Sequence, residues 1–257
     1  MGLFDAFKKK NCSICGGDIG LLGNRKLEDG NMCKHCAAKL SPWFNERRHS
    51  TVDEINEQLA YREANKEAVA AFHVTRSLGE DMKVLLDEDA RKFMVTRARK
   101  LEEENPDVID FSQVTGCQLD IEEDRREDMR EDKDGNSVSY NPARYYFSYD
   151  FNMEIRVNHP YFDVISFKLN NRSVETNPNS SVPLVRKPNV EMCVDYKEYE
   201  NMGREIKEIL TNARQEARDE AKAAAAPKAA IVCPYCGATT IPDASGCCEF
   251  CGGAVNG

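Results

Sequence analysis

Four C-x-x-C pairs, two near each end, limit what this chain can fold into more than any other feature of its sequence. Cys12 and Cys15 are followed by Cys33 and Cys36 with seventeen residues between the pairs. Cys233 and Cys236 are followed by Cys248 and Cys251 with eleven between. Each C-x-x-C suits a tight turn that aims two sulfurs at one point, and two such turns supply the four tetrahedral ligands of a zinc ion. Glycine follows the second cysteine in three of the four pairs, at Gly16, Gly237 and Gly252. A turn that closes over a metal often needs φ > 0 there, which glycine adopts without strain. Ala37 stands in the fourth place. Cys247 and Cys248 are adjacent, and only Cys248 repeats the C-x-x-C spacing, so Cys248 is expected to be the ligand. His35, inside a pair, reads as an ordinary turn residue.

The sequence therefore predicts two structural zinc ions, one at each end. A redox C-x-x-C would start a helix after a strand in a βαβ unit, and neither end has room for one. Catalytic zinc keeps a ligand position open to water, whereas each set here offers four thiolates. Fragments this small have almost no core, so the metal supplies their folding energy. Cys117 and Cys193 stand alone and read as half-buried thiols.

No apolar run approaches the ~20 residues of a membrane-spanning helix, and "MGLFDAFKKK" places its lysines after the apolar stretch, the reverse of a secretory signal. The chain is expected to be cytoplasmic, where paired cysteines bind metal more often than they form disulfides. Its formal net charge is -9 over 257 residues. Between Glu102 and Asp134, 14 acidic residues face 4 basic ones. This acidity disfavours general nucleic-acid binding, although Arg25, Lys26, Lys34, Lys39, Arg47 and Arg48 make the first fifty residues mildly basic.

In the middle of the chain, Ser50 or Thr51 can cap a helix, with Glu54 completing a capping box. Val52, Ile55, Leu59 and Arg62 trace one face, continued by Ala64, Ala68 and Ala71. "MKVLLDEDARKFMV" reads as two strands about an Asp87–Ala90 turn, and "VIDFSQVTGCQLDIEE" as one more. From Tyr145 to Val157 apolar and polar residues alternate with period two, the pattern of a half-buried strand. His159-Pro160 interrupts it, and "DVISFKL" resumes it. "EDKDGNSVSYN" has its glycine in the wrong place for a calcium loop, so Asp134-Gly135 is expected to be a hairpin turn. Asn170 to Val190 reads as a long loop. A helix from about Lys197 to Ala224 follows, with Tyr199, Met202, Ile206, Ile209, Leu210, Ala213 and Ala217 as its core stripe. The expected class is α+β: a ribbon over residues 1–40, a helical connector over 41–78, a mainly antiparallel β domain with a closing helix over 79–222, an Ala-rich linker over 223–230 and a second ribbon over 231–257.

The "MGLFD…KK" leader, C-x-x-C-G-G, "KLEDG" at Lys26–Gly30 and a second C-x-x-C before a helix resemble an uncharacterised bacterial family with an N-terminal zinc ribbon. The likeness runs through "STVDEI" to about Phe72. From about Met82 to Ala221, the short antiparallel strands, "IDFSQV" and single closing helix resemble a bacterial pleckstrin-homology-like domain. "CPYCG…CEFCGG" is similar to the small ribbons that end many bacterial proteins. None of these resemblances implies a catalytic residue.

The first functional expectation is a non-enzymatic adaptor that offers its ribbons and β platform to a protein partner. The second is a nucleic-acid-binding regulator acting through the basic first ribbon. The third is a hydrolase, for which His35, His49, His73 and His159 fit no catalytic motif. Leu3, Phe4 and Phe7 before Lys8, Lys9 and Lys10 have the form of a weak interfacial anchor on a membrane surface. The same three apolar side chains could instead cover the first ribbon.

Overall fold

The computed structural model describes residues 10–176, 182–225, 230–243 and 245–255. Leu3, Phe4, Phe7 and residues 226–229 of the Ala-rich linker lie outside these residues, as does the side chain of Ala217. The chain forms two compact units, Met1–Arg214 and Gln215–Gly257. Its class is α+β with antiparallel sheets.

The first unit begins with two small hairpins. β1 (Lys10–Asn11) pairs with β2 (Asp18–Ile19), and β3 (Asn24–Lys26) pairs with β4 (Asn31–Cys33). A single helical turn, α1 (Lys34–Ala37), follows. Thr51 caps α2 (Val52–Ala71), and the Thr51 hydroxyl and Glu54 carboxylate form the expected capping box. Ile55 of this helix completes a small core with Ile19, Leu27, Met32 and Leu40.

The buried face of α2 departs from the alanine stripe expected above. Ala64 and Ala71 are exposed, while Gln58, Arg62 and Asn65 are buried beside Ile55 and Val69. The cause is the oxygen-rich loop that α2 packs against. Arg62 donates to the Lys39 carbonyl at 3.2 Å, to Asp107 at 2.6 Å, and to the Asn105 carbonyl. Ser41 donates to the other Asp107 oxygen at 2.7 Å. Asn65 donates to Asn105 and to the Pro106 carbonyl and accepts from the Val108 N–H. The ribbon's trailing strand of chain, the helix and the β-rich part meet through this network. Nearby, His159 and Tyr61 share a 2.8 Å hydrogen bond, and the His159 ring stacks on Phe162.

One four-stranded sheet runs β5 (Arg76–Leu78), β6 (Lys83–Asp87), β7 (Lys92–Thr96), β8 (Ile109–Asp110), with a helical turn α3 (Leu101–Glu104) between β7 and β8. The β6–β7 turn lies where it was expected and is tied by Asp87, which accepts from the Ala90 and His73 N–H groups. "VIDFSQVTGCQLDIEE" is not one strand. Asp110 caps a 3-10 turn over Phe111–Gln113, whose Gln113 side chain returns to the Asp110 N–H, and the chain leaves β8 there.

The second sheet centres on β10 (Ser137–Val157), which pairs along one edge with β9 (Val114–Glu131) and along the other with β11 (Val164–Lys168) and β12 (Val174–Glu175). Phe147, Tyr149, Phe151, Met153, Ile155 and Val157 all point into the core, as the alternation predicts. The Asn170–Val190 stretch is therefore not wholly loop, since β12 and a Tyr145–Leu184 bridge interrupt it. α4 (Val194–Ala225) lies over this sheet through Tyr196, Ile206, Leu210 and Ala213. Gly203 allows the approach: a Cβ there would stand 2.7 Å from a Leu119 methyl. The helix extends through Ala225, so the first alanines of the expected linker are helical.

Beyond Phe147 the β9–β10 hairpin leaves the core. Both strands become solvent-exposed and run for seven residues of β9, about 20–25 Å, to an Asp132–Asn136 turn with Gly135 at φ +82°. A four-residue bulge, Tyr140 to Ala143, breaks the pairing between Ser139 and Arg144. Arginines stack on tyrosines along this arm: Arg125 on Tyr145, Arg126 on Tyr146, and Arg144 and Arg130 on Tyr140.

The Arg62 and Asp107 side chains are 7% and 0% exposed. Removing one partner leaves the other charge buried, which costs about 3–5 kcal/mol. Arg62→Met should therefore lower the unfolding free energy by that amount in denaturant titrations. The double variant Arg62→Met/Asp107→Leu should lose less than the single one.

Candidate metal centres

The three Cys-x-x-Cys-Gly turns share one backbone pattern. The glycine N–H donates to the first cysteine's carbonyl at 2.8 Å in each: Gly16 to Cys12, Gly237 to Cys233, and Gly252 to Cys248. The first cysteine's N–H in turn donates to the second residue beyond the pair, Gly17, Ala238 or Gly253, again at 2.8 Å. Closing such a loop sends the glycine to φ +72°, +73° and +71° respectively. Ala37 escapes the requirement because the Cys33–Cys36 pair opens into α1, so its backbone is helical.

These turns bring the expected eight cysteines into two groups. Cys12, Cys15, Cys33 and Cys36 form one, and Cys233, Cys236, Cys248 and Cys251 the other, with the four sulfurs of each within 4.8 Å of one another. Four sulfurs bound tetrahedrally at ~2.3 Å from one zinc ion stand about 3.8 Å apart. The Sγ–Sγ separations are 3.9 Å for Cys15–Cys33, 3.6 Å for Cys233–Cys251 and 3.8 Å for Cys236–Cys248. A disulfide would need about 2.05 Å, and all of these thiols are free. The donor set and spacing fit zinc at both ends, and the two groups can hold two structural zinc ions.

Cys247 belongs to neither group. Adjacent residues of an extended chain point to opposite sides. Cys247 bridges to Ala254, and its Sγ lies toward the Ser245 carbonyl while Cys248 turns inward to the cluster.

The electrostatics also call for a cation. Burial opposes ionisation of Cys12, but N–H groups of Cys15, Cys33 and Ile14 outweigh it and hold its thiol at about 6. Burial likewise opposes ionisation of Cys248, and N–H groups of Cys251 and Phe250 bring it to about 6. Other thiols of the two groups are shifted the opposite way. Burial and its three thiol neighbours push Cys36 up. Cys251 accepts from the Gly253 N–H, yet Cys236 and Cys233 drive it up to about 12. The Cys36 N–H lowers the Cys33 thiol as well, so both clusters hold thiols that ionise readily beside others that resist, and a bound cation would let all four ionise together.

Support around the two centres differs. The first rests on the seven-residue core that α2 completes. The second, whose first cysteine pair lies between β13 (Ile231–Val232) and β14 (Thr239–Thr240), has Cys233, Cys248 and Val255 as its buried cluster, with Ile231 beside it.

Residues 10–58 match a family described only as a domain of unknown function, DUF4428. The matched segment holds all four ligands of the first centre and ends on α2 just past Ile55, the helix residue that closes the ribbon core. No curated protein and no solved structure matches the chain. Residues 10–58 are thus similar to that family, and the chain carries two four-cysteine groups that can each hold a metal ion.

The sequence did not reveal the arginine–tyrosine stacking of the hairpin arm. Only the register of β9 on β10 sets Arg126 directly opposite Tyr146 and Arg125 diagonal to Tyr145, across from Phe147.

Elemental analysis of protein purified under reducing conditions without chelator should give two zinc ions per chain, and one or none would contradict the two centres. Cys248→Ser should release the second ion readily to a colorimetric chelator. Cys247→Ser should retain it, because its sulfur faces away from the cluster.

Proposed function

We propose that this protein is a non-enzymatic adaptor in which two structural zinc ribbons flank a β-rich, pleckstrin-homology-like platform that binds a protein partner in the cytoplasm. The observation that carries this reading is the β9–β10 arm. It projects past the core with arginines stacked on Tyr140 and Tyr146, and at its root Arg125 stacks on Tyr145, which still packs against the core. Tyrosine and arginine supply much of the binding energy at protein interfaces, and pre-ordering them lowers the cost of association. The platform reading draws support from the order of elements, two antiparallel sheets followed by one closing helix.

The non-enzymatic reading rests on site chemistry. Four thiolates per zinc leave no ligand position for water. His159 is engaged by Tyr61 and by the Tyr161 N–H, and burial lowers its pKa, as packing alone requires. Among the described residues, no helix is long and apolar enough to cross a membrane. A nucleic-acid-binding role is the second reading, favoured by Arg25, Lys26, Arg47 and Arg48 lining one hollow of the first ribbon.

Affinity capture from the source cell should compare the full chain with Tyr140→Ala/Tyr145→Ala/Tyr146→Ala, after checking that both retain two zinc ions. The adaptor reading expects a stoichiometric protein partner that the triple variant loses at least tenfold. An identical set of bound proteins in both samples would count against the arm as the docking element.

A further inference from the structure

Gly20, Leu21, Leu22 and Gly23 form a tight turn between β2 and β3, closed by the Gly23 N–H on the Gly20 carbonyl at 2.9 Å. Leu21 and Leu22 occupy its two corners and are 81% and 90% exposed. Single exposed apolar side chains are ordinary. Two adjacent leucines at a turn tip are different, and the ribbon core has no place for them because Ile19, Leu27 and Met32 already fill it.

The turn is set among cations. Arg25 reaches back to donate to the Leu22 and Asn24 carbonyls at 3.4 and 3.3 Å. Arg47 donates to the Lys26 carbonyl at 2.6 Å, and Arg48 lines the same hollow. Lys34 and His35 lie beside the leucines in a second hollow. Asp18 and Glu28 are the acidic residues lining these two hollows. Among the described residues, no carboxylate comes within 4.0 Å of the charged groups of Arg25, Lys26, Lys34, Arg47 or Arg48. On a chain of net charge -9, this is a local reversal of sign.

Lys10 pairs with Ile19, next to the turn, and the nine residues before Lys10 in the sequence read MGLFDAFKK, again apolar residues followed by lysines.

We propose that the Leu21–Leu22 turn and its flanking basic residues form a docking surface for an anionic lipid bilayer. The leucines enter the acyl boundary while Arg25, Lys26, Arg47 and Arg48 meet lipid phosphates. Nucleic acid would engage the cations through counterion release and give the leucines no role. The surface is separate from the tyrosine arm, so it stands or falls independently of the adaptor reading.

The test is co-sedimentation of the zinc-loaded full chain with phosphatidylcholine vesicles, with and without phosphatidylserine, at low and high salt. Binding should require phosphatidylserine and weaken as salt rises. Leu21→Ser/Leu22→Ser should lower the partition coefficient by about tenfold or more, and so should Arg25→Ala/Arg48→Ala. Zinc content checks that each variant is folded. Phe4→Ala/Phe7→Ala separates the leader from the turn: residual binding that still depends on Leu21 and Leu22 supports the proposal. Complete loss in that variant, with full binding by the leucine variant, overturns it in favour of the leader alone. No sedimentation at low salt overturns it too, as does binding to duplex DNA that the leucine variant shares while vesicles are ignored.

Discussion

A single buried guanidinium holds the first unit together. Arg62 projects from α2 into a site where its three donors meet oxygens from two parts of the chain: the Lys39 carbonyl behind the ribbon, and Asp107 with the Asn105 carbonyl in the loop that leads into β8. Removing two charges from water is costly, and the complete set of partners offsets that cost. The same completeness fixes the geometry. Arg62 cannot slide along the helix without leaving Asp107 bare, so the ribbon, α2 and the loop before β8 keep one mutual arrangement.

The zinc centres impose order of a different kind. Each acts within about twenty residues, and its turn geometry repeats wherever Cys-x-x-Cys-Gly recurs, whatever the surrounding sequence. That is why the ligand sets could be read directly from spacing. The choice between Cys247 and Cys248 was legible for the same reason. The helix of residues 52–71 was legible from its cap, and the strand through Tyr145–Val157 from its period of two.

What was hidden depended on partners distant in sequence. Arg62 was legible on the packed face of α2, but Gln58 and Asn65 were not, because Asn65 looks like a solvated residue until Asn105 to Val108 arrives beside it. The acidic run from Glu102 to Asp134 disguised a long strand, since β9 is wet on both faces over its outer half and shows no alternation there. The break after Asp110 hid within an apolar stretch whose cap was too short to stand out. At the Leu21–Leu22 turn, two leucines in a row look like core material, and only the structure shows the core already filled.

The unequal cores under the two zinc centres give them unequal fates when a ligand is oxidised or an ion is taken away. The first ribbon keeps Ile19, Leu27, Met32, Leu40 and Ile55 packed together, so its four sulfurs remain near their places and the vacancy can be refilled from a half-assembled chelate. The second has little beneath Cys233, Cys248 and Val255, and ordering each of its residues costs about 1–2 kcal/mol of backbone entropy. Its ligands must be gathered again from a loose chain. The same zinc supply or burst of peroxide would therefore act on the two ends on different timescales, with the C-terminal end the first to come apart and the last to recover.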